Sequence, residues 1–354
     1  MKRKQRFFKL SAIVGCILLG AGILLCGAGF VAMGCDLDAF IYPRVEMSAQ
    51  AEEGQVSTET PGPGDDWAQA EFAPQENISA IEVQASLGRV TVCGDPDLAA
   101  PMVRYSPKGY QLEIQENTLV ISSLDQSEKS WKWYQLLHLH EPSKEYDLTV
   151  SVPEKLLDSV YVESGMGAIH VSDLEAANVT VQGDMGDVTL DNVAASESLA
   201  VTQSMGRVTV ENCQGGDLTL ENDMGDTELS SGSFTEGEIT ASAGSVGVAG
   251  STFTTLTVEN DMGDVNLSAT QVSEAVSCAV NMGSIGLDQL ASPAITLDAD
   301  SGNVTGTIAG RQEDYQITVE TDLGDSNLQD QLGEGSHLLQ VTTNMGNISL
   351  DFAE

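Results

Sequence analysis

Aromatic and basic residues are scarce in this sequence, and both scarcities limit what the chain can be. Phe, Trp and Tyr make up 5% of the 354 residues, whereas 35 residues are glycine, which suits thin, repeatedly turning β structure. Lys and Arg number 15 against 53 Asp and Glu, and the formal net charge is −38. Such a surface repels nucleic acid, so we expect no nucleic-acid partner; it either attracts cations and basic proteins or simply maintains solubility.

Cysteine pairs and catalytic motifs are also lacking. Beyond residue 35 the cysteines are Cys93, Cys213 and Cys278, too far apart in sequence to form a disulfide framework or a zinc site. Cys278 occupies an apolar strand position and is predicted to be buried and inert. No G-x-S-x-G, H-E-x-x-H or phosphate-loop motif is present. We therefore expect a protein that is not an enzyme, with a carbohydrate-active β-helix enzyme as the remaining enzymatic alternative.

Acidic residues are absent before Asp36, and the N-terminal part has a different character. Residues 1–9 hold five basic residues, and residues 10–35 carry no charge. As a helix at ~1.5 Å per residue, the uncharged run exceeds the ~30 Å hydrocarbon core of a membrane. The positive-inside rule then predicts a cytoplasmic tail at 1–9 and a single-pass cell-membrane anchor at 10–35, with everything after it outside. A cleaved signal peptide and a lipoprotein attached at Cys35 are the alternatives.

Residues 36–76 are acidic and contain Pro61-Gly62-Pro63-Gly64, which predicts an irregular linker. The linker would hold the remaining residues, 77–354, away from the membrane as an extracytoplasmic domain.

A glycine recurs through that domain every 19–22 residues, with a separate copy at Gly88. Apolar and polar residues alternate on both sides of it, a period of two that predicts short, half-buried strands. Each repeat therefore consists of a strand, a glycine turn with positive φ, a second strand and a looser turn. Met usually precedes the glycine, and we expect it to fill space beneath the corner. The ten predicted turn glycines are Gly167, Gly186, Gly206, Gly225, Gly244, Gly263, Gly283, Gly302, Gly324 and Gly346.

Repeats this short cannot bury an apolar face alone and must stack on one another. We predict an all-β fold, a β-solenoid of about ten turns whose strands pair between turns. A sandwich of hairpins paired within each repeat is the alternative. An aromatic segment at 125–146 breaks the rhythm and is predicted to be an insertion in the first turns.

Two groups of residues are candidates for binding. Acidic Asp-x-Gly-Asp corners alternate with neutral ones, which indicates either relief of charge repulsion between stacked turns or a Ca²⁺ site. Apart from this Ca²⁺ alternative, we expect no cofactor. Those aspartates are Asp184, Asp187, Asp223, Asp226, Asp261 and Asp264. In the insertion, Trp131, Trp133 and Tyr134 are predicted to contact a partner or the membrane. Alternatively, these aromatic residues cover an open end of the solenoid. A metal site at His138, His140 and Glu141 is a further alternative.

Three segments, Tyr146–Pro153, Leu157–Val162 and Gly167–Val171, are followed by regularly spaced Gly-Asp-Val repeats. Because of these segments and repeats, residues 146–350 resemble a bacterial family of β-strand-repeat membrane proteins, which is grouped as candidate adhesins or as a domain of unknown function. The resemblance implies a cell-envelope location and a β-helix-like fold, and it implies no chemistry.

The favoured function is therefore that of an envelope protein whose acidic solenoid is an adhesin-like interaction surface. Its partner would be an envelope or surface protein or a glycan, in addition to the membrane that holds the anchor. An accessory or sensor role in envelope-stress signalling, through a membrane partner, is the alternative.

Overall fold

A computed structural model describes residues 57–59, 67–72, 77–124, 146–153, 157–331 and 335–353. Their strands belong to one continuous 25-stranded sheet that winds into a parallel β-solenoid. The predicted all-β solenoid is confirmed, with about nine regular turns instead of ten. The hairpin sandwich is wrong, because the regular strands pair in parallel with the next turn, as Val179 does with Leu199 and Leu199 with Leu218.

Each regular turn has a strand that ends at the residue before a corner glycine, and these strands stack on one another. They are β9 Leu157–Met166, β10 Ile169–Met185, β11 Val188–Met205, β13 Gln214–Met224, β15 Ser233–Ala243, β17 Thr252–Met262, β19 Gln271–Met282, β21 Ala294–Ser301 and β24 His337–Met345. A second strand segment follows each corner. After Gly167 and Gly186 this segment is the first part of the long strands β10 and β11. In the other turns it is a separate strand: β12 Val208–Glu211, β14 Thr227–Ser230, β16 Val246–Ala249, β18 Val265–Ser268, β20 Ile285–Leu290, β22 Val304–Ala309 and β25 Ile348–Ala353.

The core is a set of apolar columns that run along the solenoid. Val179 and Val181 before the corner, and Val188 and Leu190 after it, are at most 1% exposed. Alternate residues of a strand point to opposite faces, so the period of two places them all inside. Because neighbouring turns pair in register, each inward residue packs on its equivalents above and below, and one cluster fills the interior.

The turn that was predicted to be looser is in fact a second, regular corner. It holds residues with φ between 47° and 57°, namely Asp173, Asn192, Asn212, Ser231, Gly250, Ala269 and Gln289. Asn and Asp tolerate this left-handed conformation better than most residues because their side chains hydrogen-bond locally. Between neighbouring turns the side chains at this corner also bond to each other, as the Asn192 amide does when it donates to the Asp173 carboxylate at 2.8 Å. Several residue types serve at this corner, so it leaves no single-letter repeat in the sequence.

At the N-terminal end, antiparallel strands cover the parallel stack. β3 Ala80–Leu87 and β4 Val90–Asp95 form a turn about Gly88, and β7 Thr118–Ser123 and β8 Leu148–Pro153 stack outside it. Antiparallel β6 Tyr110–Gln115 then pairs with β7, and β5 Met102–Tyr105 pairs with β8. β2 Ala68–Glu71 and β1 Ser57–Glu59 continue from β5. These additions pair sheet edges that would otherwise be open to association.

At the C-terminal end, the order in space differs from the order in sequence. A 3₁₀ turn at Gln312–Asp314 leads into β23 Tyr315–Leu323, which is the outermost strand of its stack. The later strand β24 lies between β21 and β23. The N-terminal end has the same inversion, since β7 lies outside the earlier β3.

Several predictions concern residues outside the described ranges. These are the basic tail at 1–9, the anchor at 10–35, most of the linker and nearly all of the insertion. Within the described ranges, no helix has the length and apolar character needed to cross a membrane. The linker prediction needs one correction: β2 lies inside 36–76, and its Ala68 and Ala70 are buried because the strand pairs with β5.

Candidate interaction surface at the glycine corner

The glycine corner brings consecutive turns into backbone contact. Gly167, Gly186, Gly206, Gly225, Gly244, Gly263 and Gly283 have φ between 130° and 154°, which disfavours any residue with a Cβ. At Gly302, Gly324 and Gly346 φ lies outside this range, so the predicted positive φ does not hold there. The crowding is nevertheless equal, and a Cβ at any of the ten would overlap the carbonyl of a neighbouring corner. The N–H of Gly186 donates to the carbonyl of Met205 at 3.0 Å, and equivalent bonds join the other turns. The corner is therefore a tight, continuous edge of the solenoid.

The residue before each corner glycine points outward. We call this column the methionine stripe: in spatial order Leu87, Met166, Met185, Met205, Met224, Ala243, Met262, Met282, Ser301, Met345 and Leu323. The exposed fraction of its methionines runs from 38% at Met166 to 55% at Met345. The prediction that Met fills space beneath the corner is wrong. Strand alternation points Val181 and Gly183 inward, but the bend at Met185-Gly186 breaks the alternation and turns Met185 to solvent.

Aspartates of the acidic corners accept hydrogen bonds from the adjacent turn. Asp187 Oδ1 accepts the N–H of Arg207 at 3.0 Å, Asp226 Oδ1 that of Ser245 at 3.0 Å, and Asp264 Oδ1 that of Ser284 at 2.8 Å. Asn303 and Asn347 make the same bond from the same position farther along. The bond therefore requires a side-chain acceptor but not a negative charge, since the neutral Asn side chain makes it as well.

Asp184, Asp223 and Asp261 form a second acidic column, just before the methionine stripe. Asp261 accepts a bond from the neutral Asn281 of the next turn at 2.7 Å, so an uncharged partner separates successive carboxylates. Arg207 has a similar role between acidic corners, with ion pairs to Asp226 at 3.2 Å and Glu228 at 3.0 Å. All three of these side chains are about half exposed, so each pair contributes at most about 1 kcal/mol. The alternation of charged and neutral corners therefore has a structural explanation.

The calcium hypothesis stays a prediction. Among the described residues, no group of three or more His, Cys, Asp or Glu side chains is placed to hold a metal ion. Because the corner aspartates already bond to protein groups, we expect Ca²⁺ and Mg²⁺ at equal concentration to raise the melting temperature equally, through screening of the negative charge. Thermal unfolding in matched CaCl₂ and MgCl₂ series measures this, and a rise with Ca²⁺ alone would favour a specific site.

A column of polar side chains inside the corner was not foreseen from the sequence. Asn260 is 2% exposed, and its Nδ2 donates to the carbonyls of Gly244 and Gly263, both at 3.0 Å. Asn222, equally buried, donates to Gly206 at 3.2 Å and Gly225 at 3.1 Å. One amide thus serves two turns, which explains why Ala241 suffices in the turn between them. The available signal was the hexapeptide Glu-Asn-Asp-Met-Gly-Asp, identical at 221–226 and 259–264.

The cysteines lie in structural positions. Cys278 and Cys213 are each 1% exposed, and burial raises the pKa of the Cys278 thiol to about 12 and that of Cys213 to about 11. Cys93 is partly exposed and contacts the Ser151 hydroxyl. Among the described residues these three thiols are all free.

Thiol labelling at pH 8 is expected to modify Cys93 in the folded protein but neither Cys213 nor Cys278. A buried thiol with a raised pKa is rarely present as the reactive thiolate. Peptide mass spectrometry after brief maleimide treatment locates the label, and the same treatment in denaturant is the control. Labelling of Cys278 at the rate of Cys93 in the folded protein would contradict its burial.

Trp131, Trp133 and Tyr134, with His138, His140 and Glu141, lie outside the described residues. Their flanking strands β7 and β8 belong to the turn outside Gly88, so the segment connects two strands near the N-terminal end of the stack. Among the described residues, antiparallel β5 and β6 already cover that end. The contact role of these aromatic residues stays a prediction.

In-register parallel stacking around two corner columns defines the described part of the chain as a β-solenoid. The chain belongs to the Toastrack DUF4097 family, whose model matches residues 103–351, and the expected family resemblance is thereby confirmed.

Two solved structures are similar over most of the chain. A "putative adhesin" from Bacteroides fragilis NCTC 9343 is 15% identical, with a TM-score of 0.39, over 82% of this chain and 99% of its own. A "putative cell adhesion protein" from Clostridium sporogenes ATCC 15579 is 10% identical, with a TM-score of 0.19, over 84% of this chain and 100% of its own. A search of the curated proteins finds no significant match.

Proposed function

We propose that the chain is a non-enzymatic, adhesin-like protein of the cell envelope, whose solenoid is an extended binding surface on a membrane anchor at residues 10–35. The observation that carries this proposal is the methionine stripe between two acidic columns. Soluble proteins rarely expose a contiguous apolar surface unless it has a partner. The stripe stands on a rigid, hydrogen-bonded edge, so little order is lost when a partner binds.

The chemistry of the described residues supports binding over catalysis. The carboxylates at the corner bond to repeated backbone and amide groups, which gives many equivalent positions and no differentiated acid–base pair. Repeated, equivalent positions suit many weak contacts along one partner, and their combined affinity can be high.

Crosslinking and pull-down of the full-length protein from native membranes tests the proposal. We expect a specific envelope or surface protein, or a glycan-bearing molecule, that is not recovered from matched membranes lacking the chain. Failure to recover any specific partner with crosslinkers of several chemistries would contradict it. A variant with Trp131→Ser and Trp133→Ser, tested in parallel, is expected to recover less of the partner if the aromatic segment also contributes.

Protease added to intact cells tests the proposed topology. Because the positive-inside rule places the acidic domain outside, we expect rapid digestion of the solenoid while a cytoplasmic control protein stays intact. Full protection of the solenoid in cells whose outer layers admit the protease would reverse the orientation.

A further inference from the structure

The methionine stripe is a long, mainly apolar column along one edge of the solenoid. Its eleven positions are in register, and at ~4.8 Å per turn they extend over roughly 48 Å. Nine large apolar residues are well exposed in the described part of the chain, and all except Leu338 belong to the stripe. The longest unbroken run of methionines covers four consecutive turns, from Met166 to Met224. Exposed apolar groups are therefore concentrated at one edge instead of being scattered.

Acidic side chains lie along both sides of the stripe. On the side before it are Asp184, Asp223, Asp261, Asp300 and Asp322, and on the side after the glycine are Asp187, Asp226, Asp264 and Asp325. The basic residues in these two columns are Arg89 and Arg207, and Arg207 already pairs with Asp226 and Glu228. A partner that covers the stripe must lie between two rows of negative charge. Charge complementarity favours a cationic partner and disfavours a second copy of this acidic chain.

The spacing of the stripe favours a helix over an extended peptide. Successive turns are ~4.8 Å apart, and an α-helix rises ~5.4 Å per turn, so a helix and the stripe drift apart by only ~2 Å over the four-methionine run. Same-face side chains of an extended strand are ~6.7 Å apart, which gives a drift of ~6 Å over the same run. Unbranched methionine side chains can adjust to the smaller mismatch.

We propose that the methionine stripe docks a cationic amphipathic helix of a partner protein, with its apolar seam along Met166 to Met224 and its Lys or Arg side chains against the flanking aspartates. This inference rests on the proposed function and specifies the chemistry of the partner. About three turns of helix cover the four-methionine run. The mode corresponds to an amphipathic helix laid on an apolar, methionine-rich surface, in which the methionines adapt to different apolar side chains.

Fluorescence anisotropy with a designed probe tests the docking. The probe is a labelled Leu/Lys peptide with leucines at i, i+3, i+4 and i+7, titrated with full-length protein in zwitterionic nanodiscs, with empty nanodiscs as the reference. We expect saturable binding that weakens roughly tenfold between low and moderate salt. A scrambled peptide of equal composition, which has no apolar seam, is expected to bind at least tenfold more weakly.

Three sets of variants locate the site. Met166→Gln, Met185→Gln, Met205→Gln and Met224→Gln together are expected to weaken binding by tenfold or more, because Gln has a similar shape without the apolar character. The same four positions changed to Leu are expected to bind within about threefold of the native protein. Asp184, Asp187, Asp223 and Asp226 changed to Asn are expected to reduce both affinity and salt dependence. Asn already occurs in both columns, so these changes should leave the fold intact: Asn303 and Asn347 follow the glycine as Asp187 and Asp226 do, and Asn281 and Asn344 precede the stripe as Asp184 and Asp223 do. Leu338→Gln, which alters the one exposed large apolar residue that the described part of the chain has outside the stripe, is the matched control.

Several results would overturn the inference. The first is that the four-Gln variant binds the peptide as tightly as the native protein does. The second is that the native protein binds the scrambled peptide as tightly as the designed one. The third is that the native protein binds no peptide but tightly binds Ag⁺, which is a probe for thioether ligands. The last result would assign the stripe to a soft metal ion. The failures are distinguishable: a partner crosslinked equally by the native and four-Gln proteins removes the stripe's role but leaves the proposed function standing.

Discussion

Replacing Gly244 with Ala is expected to lower the free energy of unfolding by about 3–5 kcal/mol, a large part of the roughly 5–15 kcal/mol by which folded domains are usually stable. Gly244 has φ 143°, where a Cβ is strained, and that Cβ would overlap the carbonyl oxygen of Gly225. Neither turn can move aside, because the N–H of Gly244 bonds to Met262 at 2.9 Å and that of Gly225 to Ala243 at 2.8 Å. Urea denaturation followed by circular dichroism measures the loss.

Gly247, three residues away on β16, provides the matched control. A Cβ at Gly247 would meet no atom within 4 Å, and its φ lies outside the left-handed region. Gly247→Ala is therefore expected to be neutral or to stabilise by about 0.5–1 kcal/mol, since Ala loses less backbone entropy in a strand. Equal losses for the two variants would show that crowding at the corner is not the reason for the glycine column.

Replacing Asn260 with Leu is expected to cost about 2–4 kcal/mol, the second-largest effect. Leu has nearly the same size but no donor, so the inward carbonyls of Gly244 and Gly263 would lose their hydrogen bonds. A buried polar group without a partner costs about 1–3 kcal/mol. Asn260→Ala adds a cavity and should be at least as damaging. Both are measured by urea unfolding, and Asn222→Leu should behave similarly because the Asn222 amide also bonds to two corner glycine carbonyls, those of Gly206 and Gly225.

Glu259, exposed on the outer face of the same strand, is the control for this experiment. Glu259→Ala is expected to change stability by no more than about 0.5 kcal/mol. If Asn260→Leu were equally mild, water would have to reach the glycine carbonyls. The buried Asn side chains would then fill space inside the corner without stabilising the contact between turns.

The parts of the fold that follow from strand periodicity were predictable from the sequence. Inward residues such as Val181, Val188 and Leu190 lie where alternation places them, and the glycine spacing located the corner. Alternation fails where the backbone bends, so Met185 was predicted on the wrong side. The regularity of the second corner is not visible in the sequence, because Asn192, Ser231 and Ala269 reach the same conformation with different side chains.

The candidate surface was less predictable than the core, for a physical reason. Its acidic residues were visible, but the role of Asp187 depends on which N–H lies above it, and that requires the register between turns. The pairing of Asn222 with two carbonyls likewise depends on geometry that neighbouring letters do not encode. The strand order at the two ends cannot be predicted from the sequence. At each end two strands of similar composition could occupy the inner place, and the sequence does not show which of them does.

Those inversions affect how the solenoid can assemble and how it can have lengthened. Strand β24 takes its place between β21 and β23, so a chain emerging from the ribosome cannot complete that end by adding turns one after another. Either β23 waits detached, or β23 and β24 dock together as a pair. For the same reason, copying the outermost turn would not extend the stack, whereas copying an interior pair of turns would preserve every contact. The identical hexapeptides at 221–226 and 259–264, two turns apart in the interior, are what growth by such duplication would leave behind.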